Sequence, residues 1–227
     1  WAIDEYYPLI IDSEFSDSTD SDNLIENDED QDWYESRNND PRLVSLDTNN
    51  IAGNTGKKAA FLTDDITNFV YLSQQLRTPQ TGRFTVSFDI YIDKISDYVV
   101  LDQNYTYNRT GTIYIGTDAD QVNGPCSGQN ERCVCLEFYD TTPGDTGDDI
   151  IMVARERAGQ SIYRTPQWTS VTTNLSYDKW YTIQLNIDLI NHNYTVFIND
   201  DLVHDNILGF SGYTSSNITD ISFYAGG

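Results

Sequence analysis

The chain has 227 residues, the upper end of what one β-sandwich or barrel domain commonly holds. Its 13 Lys+Arg against 36 Asp+Glu give a formal net charge of -23; such a field repels phosphate backbones and anionic headgroups, which excludes nucleic acid and membrane surfaces as partners and leaves divalent cations, neutral glycans and basic proteins, or simply a surface adapted to salty water. Aromatic residues make up 13% of the chain, with 16 Tyr and 4 Trp; that is too many for a disordered chain, and beside abundant Asn, Thr and Ser they describe a secreted β protein rather than a cytosolic helical enzyme.

Residues 1–8 are mostly apolar and aromatic around Asp4 and Glu5, and an opening on Trp1 rather than Met reads as a removed targeting segment or a piece of a longer precursor. Residues 16–40 carry Asp17, Asp20, Asp22, Glu26, Asp28, Glu29, Asp30 and Asp32 among few apolar residues and are expected to form a long acidic loop holding Trp33 and Tyr34. Short strands are expected at 43–46, 59–63 and 69–72. Over 83–94, Phe84, Val86, Phe88, Ile90 and Ile92 alternate with Thr85, Ser87, Asp89, Tyr91 and Asp93, the pattern of a long half-buried strand. Further short strands follow at 98–101, 112–115, 134–139 and 150–154, with a Gly- and Asp-rich loop at 141–149, and Gln167 and Trp168 fall outside any alternation. Over 179–190, Tyr181, Ile183, Leu185, Ile187 and Leu189 alternate with polar residues, and after the turn Asn191-His192-Asn193 the return strand carries Tyr194, Val196 and Ile198. Asn199-Asp200 is a tight turn into Leu202-Val203, and a last strand is expected at 221–225. No window shows a helical period with caps, and no apolar run approaches a membrane span. Many strands at short spacing make an all-β, two-sheet antiparallel β-sandwich, read as one domain over 1–227.

Cys126, Cys133 and Cys135 lie close together. Alternation puts Cys133 and Cys135 on one face of a strand, where they cannot easily bond each other, so one disulfide from Cys126 to either is expected, with the third thiol buried or bridging to another chain. Zinc would want a fourth ligand, and His192 and His204 are far away in sequence. The sequons at Asn104, Asn108, Asn174, Asn193 and Asn217 each fall near a predicted turn or strand end, where a glycan is carried easily. Together with the composition they place the chain outside the cell or on its surface.

The segment Trp180-Tyr181-Thr182-Ile183-Gln184-Leu185-Asn186-Ile187-Asp188, followed by Tyr194-Thr195-Val196-Phe197-Ile198-Asn199-Asp200, resembles a signature of concanavalin A-like jelly rolls, laminin-G-like modules among them. Ile10-Ile11-Asp12-Ser13-Glu14-Phe15, Gly56-Lys57-Lys58-Ala59-Ala60-Phe61-Leu62 and Thr85-Val86-Ser87-Phe88-Asp89-Ile90 are similar to further strands of that group, in the expected order. Two departures are Asp200 where Gly is usual, and the exchanged acidic and aromatic residues in Ser13-Glu14-Phe15. The resemblance implies a structural Ca²⁺ joining the first segment to the last strand through Asp12 or Glu14 together with Asp220.

The same group includes glycoside hydrolases and polysaccharide lyases. Retaining hydrolases need two carboxylates about 5 Å apart on one face, whereas Leu136-Glu137-Phe138-Tyr139-Asp140 puts Glu137 and Asp140 on opposite faces and makes Glu137 a solvated strand residue. Arg155-Glu156-Arg157 is only a stub of the lyase pattern. Sugars want exposed rings flanked by amides and carboxylates; Trp33, Tyr34 and Trp168 beside Gln167 fit that description, while Trp180 starts a strand on the face opposite its apolar row. The expected function is therefore a non-catalytic module binding glycan or mediating adhesion. The alternatives are a structural subunit of an extracellular assembly contacting other protein subunits, copies of itself among them, and a divergent glycoside hydrolase or lyase. Strand exchange would mark the second, and two carboxylates sharing a cleft the third.

Overall fold

The computed structural model of the chain describes residues 7–9, 33–35, 44–47, 59–62, 70–92, 100–102, 105–117, 126, 129–140, 150–156, 167–209 and 215–225. Among them the one helical piece is a 3-10 turn, Gln129–Glu131, and no helix is long and apolar enough to cross a membrane. The strands, numbered along the chain, form two large sheets. One has five strands in the order β1 (Tyr7–Leu9), β6 (Arg83–Ile92), β12 (Lys179–Asp188), β13 (Asn193–Ile198) and β14 (Asp201–Leu208). The other has eight, ordered β11 (Gln167–Leu175), β10 (Ile150–Glu156), β9 (Arg132–Asp140), β8 (Tyr105–Gly116), β15 (Asn217–Ala225), β5 (Val70–Thr81) and β2 (Trp33–Glu35), with β7 (Val100–Asp102) added to β8. Strands β3 (Val44–Asp47) and β4 (Ala59–Leu62) pair separately. All pairings are antiparallel except β1 on β6. The fold is an all-β, two-sheet antiparallel sandwich.

Alternation explains the five-stranded sheet. Phe84 and Val86, then Tyr181, Ile183, Leu185 and Ile187, then Tyr194, Val196 and Ile198 all turn inward and are buried. They meet Ile113 and Ile115 of β8, Val134, Leu136 and Phe138 of β9, and Ile150, Met152 and Ala154 of β10 in one core cluster. Each fully buried Ile or Leu contributes about 1.5–3 kcal/mol, so a one-residue slip of β12 would forfeit the whole row.

Two short corners among the described residues carry the chain between sheets. Gly82, at φ 72°, turns β5 into β6, and its carbonyl accepts the Leu189 N–H at 2.9 Å. A residue without Cβ suits that left-handed conformation. Asp178, at φ 57°, turns β11 into β12; beside it the Ser176 N–H donates to the Tyr181 hydroxyl at 2.7 Å. Just past the end of β14, Gly209 donates its N–H to the His192 carbonyl at 2.7 Å.

Several expectations are corrected here. Trp33 and Tyr34 are not in a loop: they form β2, opposite Gln74 and Ser73. Gln167 and Trp168 open β11, opposite Glu156 and Arg155. Strands β5, β8 and β11 are much longer than the apolar runs within them. Residues 16–32, 36–40 and 141–149 of the two expected loops lie outside the described residues.

Candidate functional site

The outward positions of the five-stranded sheet form an open, largely polar surface. Register sets Tyr91 of β6 opposite Trp180 of β12, Asp89 opposite Thr182, and Ser87 opposite Gln184. Gln184 in turn stands opposite Phe197, and Phe197 opposite Leu202. Ser87, Asp89 and Thr182 are exposed, while Tyr91, Trp180, Gln184 and Phe197 are half-buried. Leu202, 58% exposed, extends the apolar part of this surface beside Phe197.

The Tyr91 and Trp180 rings lie 5.3 Å apart, centroid to centroid, tilted by 46°. Hydrogen bonds hold their surroundings. The Tyr91 hydroxyl donates to Asp178 Oδ1 at 3.1 Å and the Thr182 hydroxyl to Asp89 Oδ1 at 2.6 Å. Farther along, the Thr85 hydroxyl and Gln184 Nε2 both donate to Asn186 Oδ1, at 2.9 and 3.3 Å. The surface is thus an aromatic pair with carboxylates, amides and hydroxyls fixed around it. Its far end is closed by Arg83, whose Nε donates to Asp188 Oδ2 at 2.8 Å.

The outward face of the eight-stranded sheet differs. One cross-strand row runs Cys135, Tyr114, Ser222, Ser73 and Tyr34; the next runs Val153, Glu137, Thr112, Tyr224 and Tyr71. Tyr224 lies 5.2 Å from Tyr71 and 5.1 Å from Tyr114 by ring centroids, and the Arg132 guanidinium sits 3.9 Å over the Tyr114 ring. Ser73, Ser222 and Cys135 are fully buried, and Ser73 donates to Ser222 at 2.6 Å. Cys126 is held beside this face: its N–H donates to the Thr117 carbonyl at 3.0 Å, and Arg132 Nε donates to its carbonyl at 2.7 Å. Gly116 lies against Glu131, where a Cβ would overlap the Glu131 carbonyl. Glu137, expected in solvent, is buried and accepts from the Cys135 thiol at 4.0 Å. Burial pushes the Tyr114 and Tyr224 hydroxyls and the Cys126 thiol well above their ordinary values, with the Cys135 charge adding to the first, Cys126 to the second and Asp220 to the third.

The expected disulfide is not formed: Cys126, Cys133 and Cys135 are buried thiols, none of them joined to another. A register shift explains why alternation misled. Ile115 faces Val134 but Gly116 faces Arg132, which leaves Cys133 as an extra residue in a bulge. Cys133 therefore joins the core beside Gly209, while Cys135 stands with Tyr114 and Glu137, and the Cys126 thiol donates to the Asp220 carbonyl at 3.9 Å. Burial alone pushes the Cys133 thiol up to about 12, so at neutral pH it stays protonated and a poor nucleophile.

Of the residues suggested for calcium, Asp12 and Glu14 lie outside the described residues. Asp220 is buried on the face of the eight-stranded sheet and accepts from the Thr219 hydroxyl at 2.6 Å. Among the described residues no three of His, Cys, Asp and Glu come together as a metal-holding group. Of the sequon residues, Asn104 lies outside the described residues. Asn108 is inside β8, opposite Asp140, rather than at a turn, and Asn174 is the second-to-last residue of β11. Asn193 and Asn217 begin strands; Asn193 donates its side-chain amide to Asn206 at 2.9 Å, and Asn217 accepts from Ser215 at 2.7 Å. Glu137 and Asp140 stand opposite Thr112 and Asn108, three positions apart on β9, and do not form a carboxylate pair on one face.

Trp180 was legible as an outward residue. Its partner Tyr91 was not, because only the β6–β12 register brings the two together.

No family model matches the sequence, and no curated protein matches it. Among solved structures the chain is similar to LamA from Zobellia galactanivorans in complex with laminaritriose and laminaritetraose, at 12% identity and TM-score 0.49, over 98% of this chain and 90% of that one. It is similar to the carbohydrate-binding module CBM66 from Bacillus subtilis at 9% identity and TM-score 0.40, over 85% and 90%. A sialidase is similar at 14% identity and TM-score 0.46 over 83% of this chain, which spans 14% of the sialidase's length.

Proposed function

We propose that this chain is a non-catalytic carbohydrate-binding sandwich of the concanavalin A-like kind, working outside the cell, with the outward face of the five-stranded sheet as its sugar surface. The observation that carries the reading is the Tyr91–Trp180 pair, half exposed beside the hydrogen-bonded Asp89 and Thr182. Axial C–H groups of a neutral sugar pack on ring faces, and its hydroxyls exchange hydrogen bonds with carboxylates and amides held in place beforehand. Ordered side chains lose little entropy on binding, which favours a surface already cross-linked by its own hydrogen bonds. A net charge of -23 disfavours anionic polysaccharides, so neutral glycans are the ligands to test first.

The test is calorimetry and glycan-array binding with neutral oligosaccharides, comparing the natural chain with Trp180→Ala and with Ile190→Ser, a change in an exposed turn residue off the surface. The natural chain and Ile190→Ser bind alike, and Trp180→Ala weakens binding about tenfold, equivalent to about 1.4 kcal/mol, with its far-UV circular dichroism unchanged. Binding by no neutral glycan, or equal binding by Trp180→Ala, refutes the assignment.

A further inference from the structure

The two edges of the five-stranded sheet are treated differently. At β14 the register slips between Tyr194 and Val196, Asn206 takes φ 57°, and Asp201, Asp205 and Asn206 are exposed. A bulge and edge charges blunt an edge against further strands. At β6 the ladder to β12 runs without a register shift, and Asp89 is an exposed charge on it. The outer partner of β6 is β1, in parallel, at Tyr7↔Phe84, Pro8↔Thr85 and Leu9↔Val86. That pairing covers three of the ten residues of β6, whereas β12 on the other side runs its full length.

The register of β1 is selective. Tyr7 and Leu9 pair beside Phe84 and Val86, two buried core residues of β6. Pro8 takes the outward position of Thr85, and a residue without an N–H ends a sheet instead of inviting another strand. No hairpin can join parallel neighbours, so the attachment of β1 to β6 is set by the edge itself and not by a turn. A three-residue ladder makes few hydrogen bonds, and every one it makes is offered identically by β1 of another copy.

We propose that the β6 edge is an acceptor for the strand Tyr7–Leu9 of a second copy of this chain, and that copies assemble by exchanging this strand. This goes beyond sugar binding and holds whether or not Trp180 meets a glycan. Exchange replaces an intramolecular contact with an identical intermolecular one, so it adds no new surface chemistry and its extent is set by chain concentration.

The test is cross-linking at the Pro8–Thr85 register pair, whose backbones are neighbours on adjacent strands and within reach of a disulfide. Pro8→Cys and Thr85→Cys chains, one carrying a mass tag, are unfolded, mixed, refolded and oxidised, with the natural chain as the background for its own buried thiols. Exchange yields a mixed disulfide-linked pair, rising with concentration. The Pro8→Cys/Thr85→Cys double variant then forms bonds between chains as well as within them. A chain lacking residues 1–9 serves as the second measurement: by light scattering it stays a single copy at concentrations where the full chain assembles, with unchanged circular dichroism. A double variant that closes only within one chain, or equal native masses with and without residues 1–9, overturns the proposal.

Discussion

Asp188 shows how a single carboxylate is made to hold a strand end. It is 5% exposed and accepts from Arg83 Nε at 2.8 Å, from the Ile190 and Asn191 N–H groups at 2.9 and 3.0 Å, and from Asn191 Nδ2 at 2.7 Å. Burial by itself would raise the Asp188 carboxyl, but the Asn191 backbone, the Arg83 and Asn191 side chains and the Arg83 charge together hold it below the usual carboxylate range. A carboxyl depressed in the folded state stabilises fully above its unfolded value, near 3.9, and loses that contribution as pH falls through the folded value. Asp188→Asn keeps the shape and removes the charge, so it is expected to lose about 2 kcal/mol at pH 7. Urea unfolding at pH 7 and pH 3 checks this. The gap between variant and natural chain narrows at pH 3, and an equal gap at both would mean that the charge is not the cause.

At the scale of elements, the β13–β14 hairpin turns on Asn199 and Asp200, at φ 51° and 68°. Two successive positive values make the primed turn that matches strand twist. Asn199 earns its place through Thr182: its side chain accepts the Thr182 N–H at 3.0 Å and its own N–H donates to the Thr182 carbonyl at 2.8 Å. Asp200 has no such compensation among its described contacts, and left-handed backbone strains a residue with a Cβ. Asp200→Gly is therefore expected to stabilise by about 0.5–1 kcal/mol, read as a Tm increase of about 1–4 °C by calorimetry; a decrease would show that the side chain matters more than the backbone. This hairpin was legible because β12 and β13 bury one face and wet the other. The same reasoning failed for β5, where Ser73 and Gln74 are fully buried beside Leu72 and Leu76. Both faces of that sheet are covered there, so period two never appears as apolar against polar. It failed again at β9, because one extra residue in a bulge puts Cys133 on the face opposite to Cys135, where strict alternation puts the two together. The sugar surface was half legible. Trp180 announces itself on an amphipathic strand, but Tyr91 looks like an ordinary outward tyrosine until the register sets it beside Trp180.

For the molecule as a whole, charge is the dominant global term: 36 acidic residues against 13 basic ones on a 227-residue chain repel one another in the compact state more than in the expanded one. Among the described residues the core is apolar, and the Arg83–Asp188 pair is a short-range contact between opposite charges. Long-range repulsion is relieved by screening. At 0.1 M ionic strength charges farther apart than about 10 Å are largely screened, while a contact at 2.8 Å such as Arg83–Asp188 is screened far less. Added salt should thus remove long-range repulsion and leave the short attractive contact nearly intact. Raising NaCl from about 10 mM to about 500 mM is expected to raise Tm steadily, with most of the gain below about 0.2 M, where the screening length shortens fastest. Replacing NaCl with sucrose at equal osmolality separates screening from exclusion of solute, because only the salt acts on charge. A Tm that falls with NaCl would mean that attractive surface pairs outweigh net repulsion, and the acidic surface would then have to be arranged as matched local charges rather than as one repelling field.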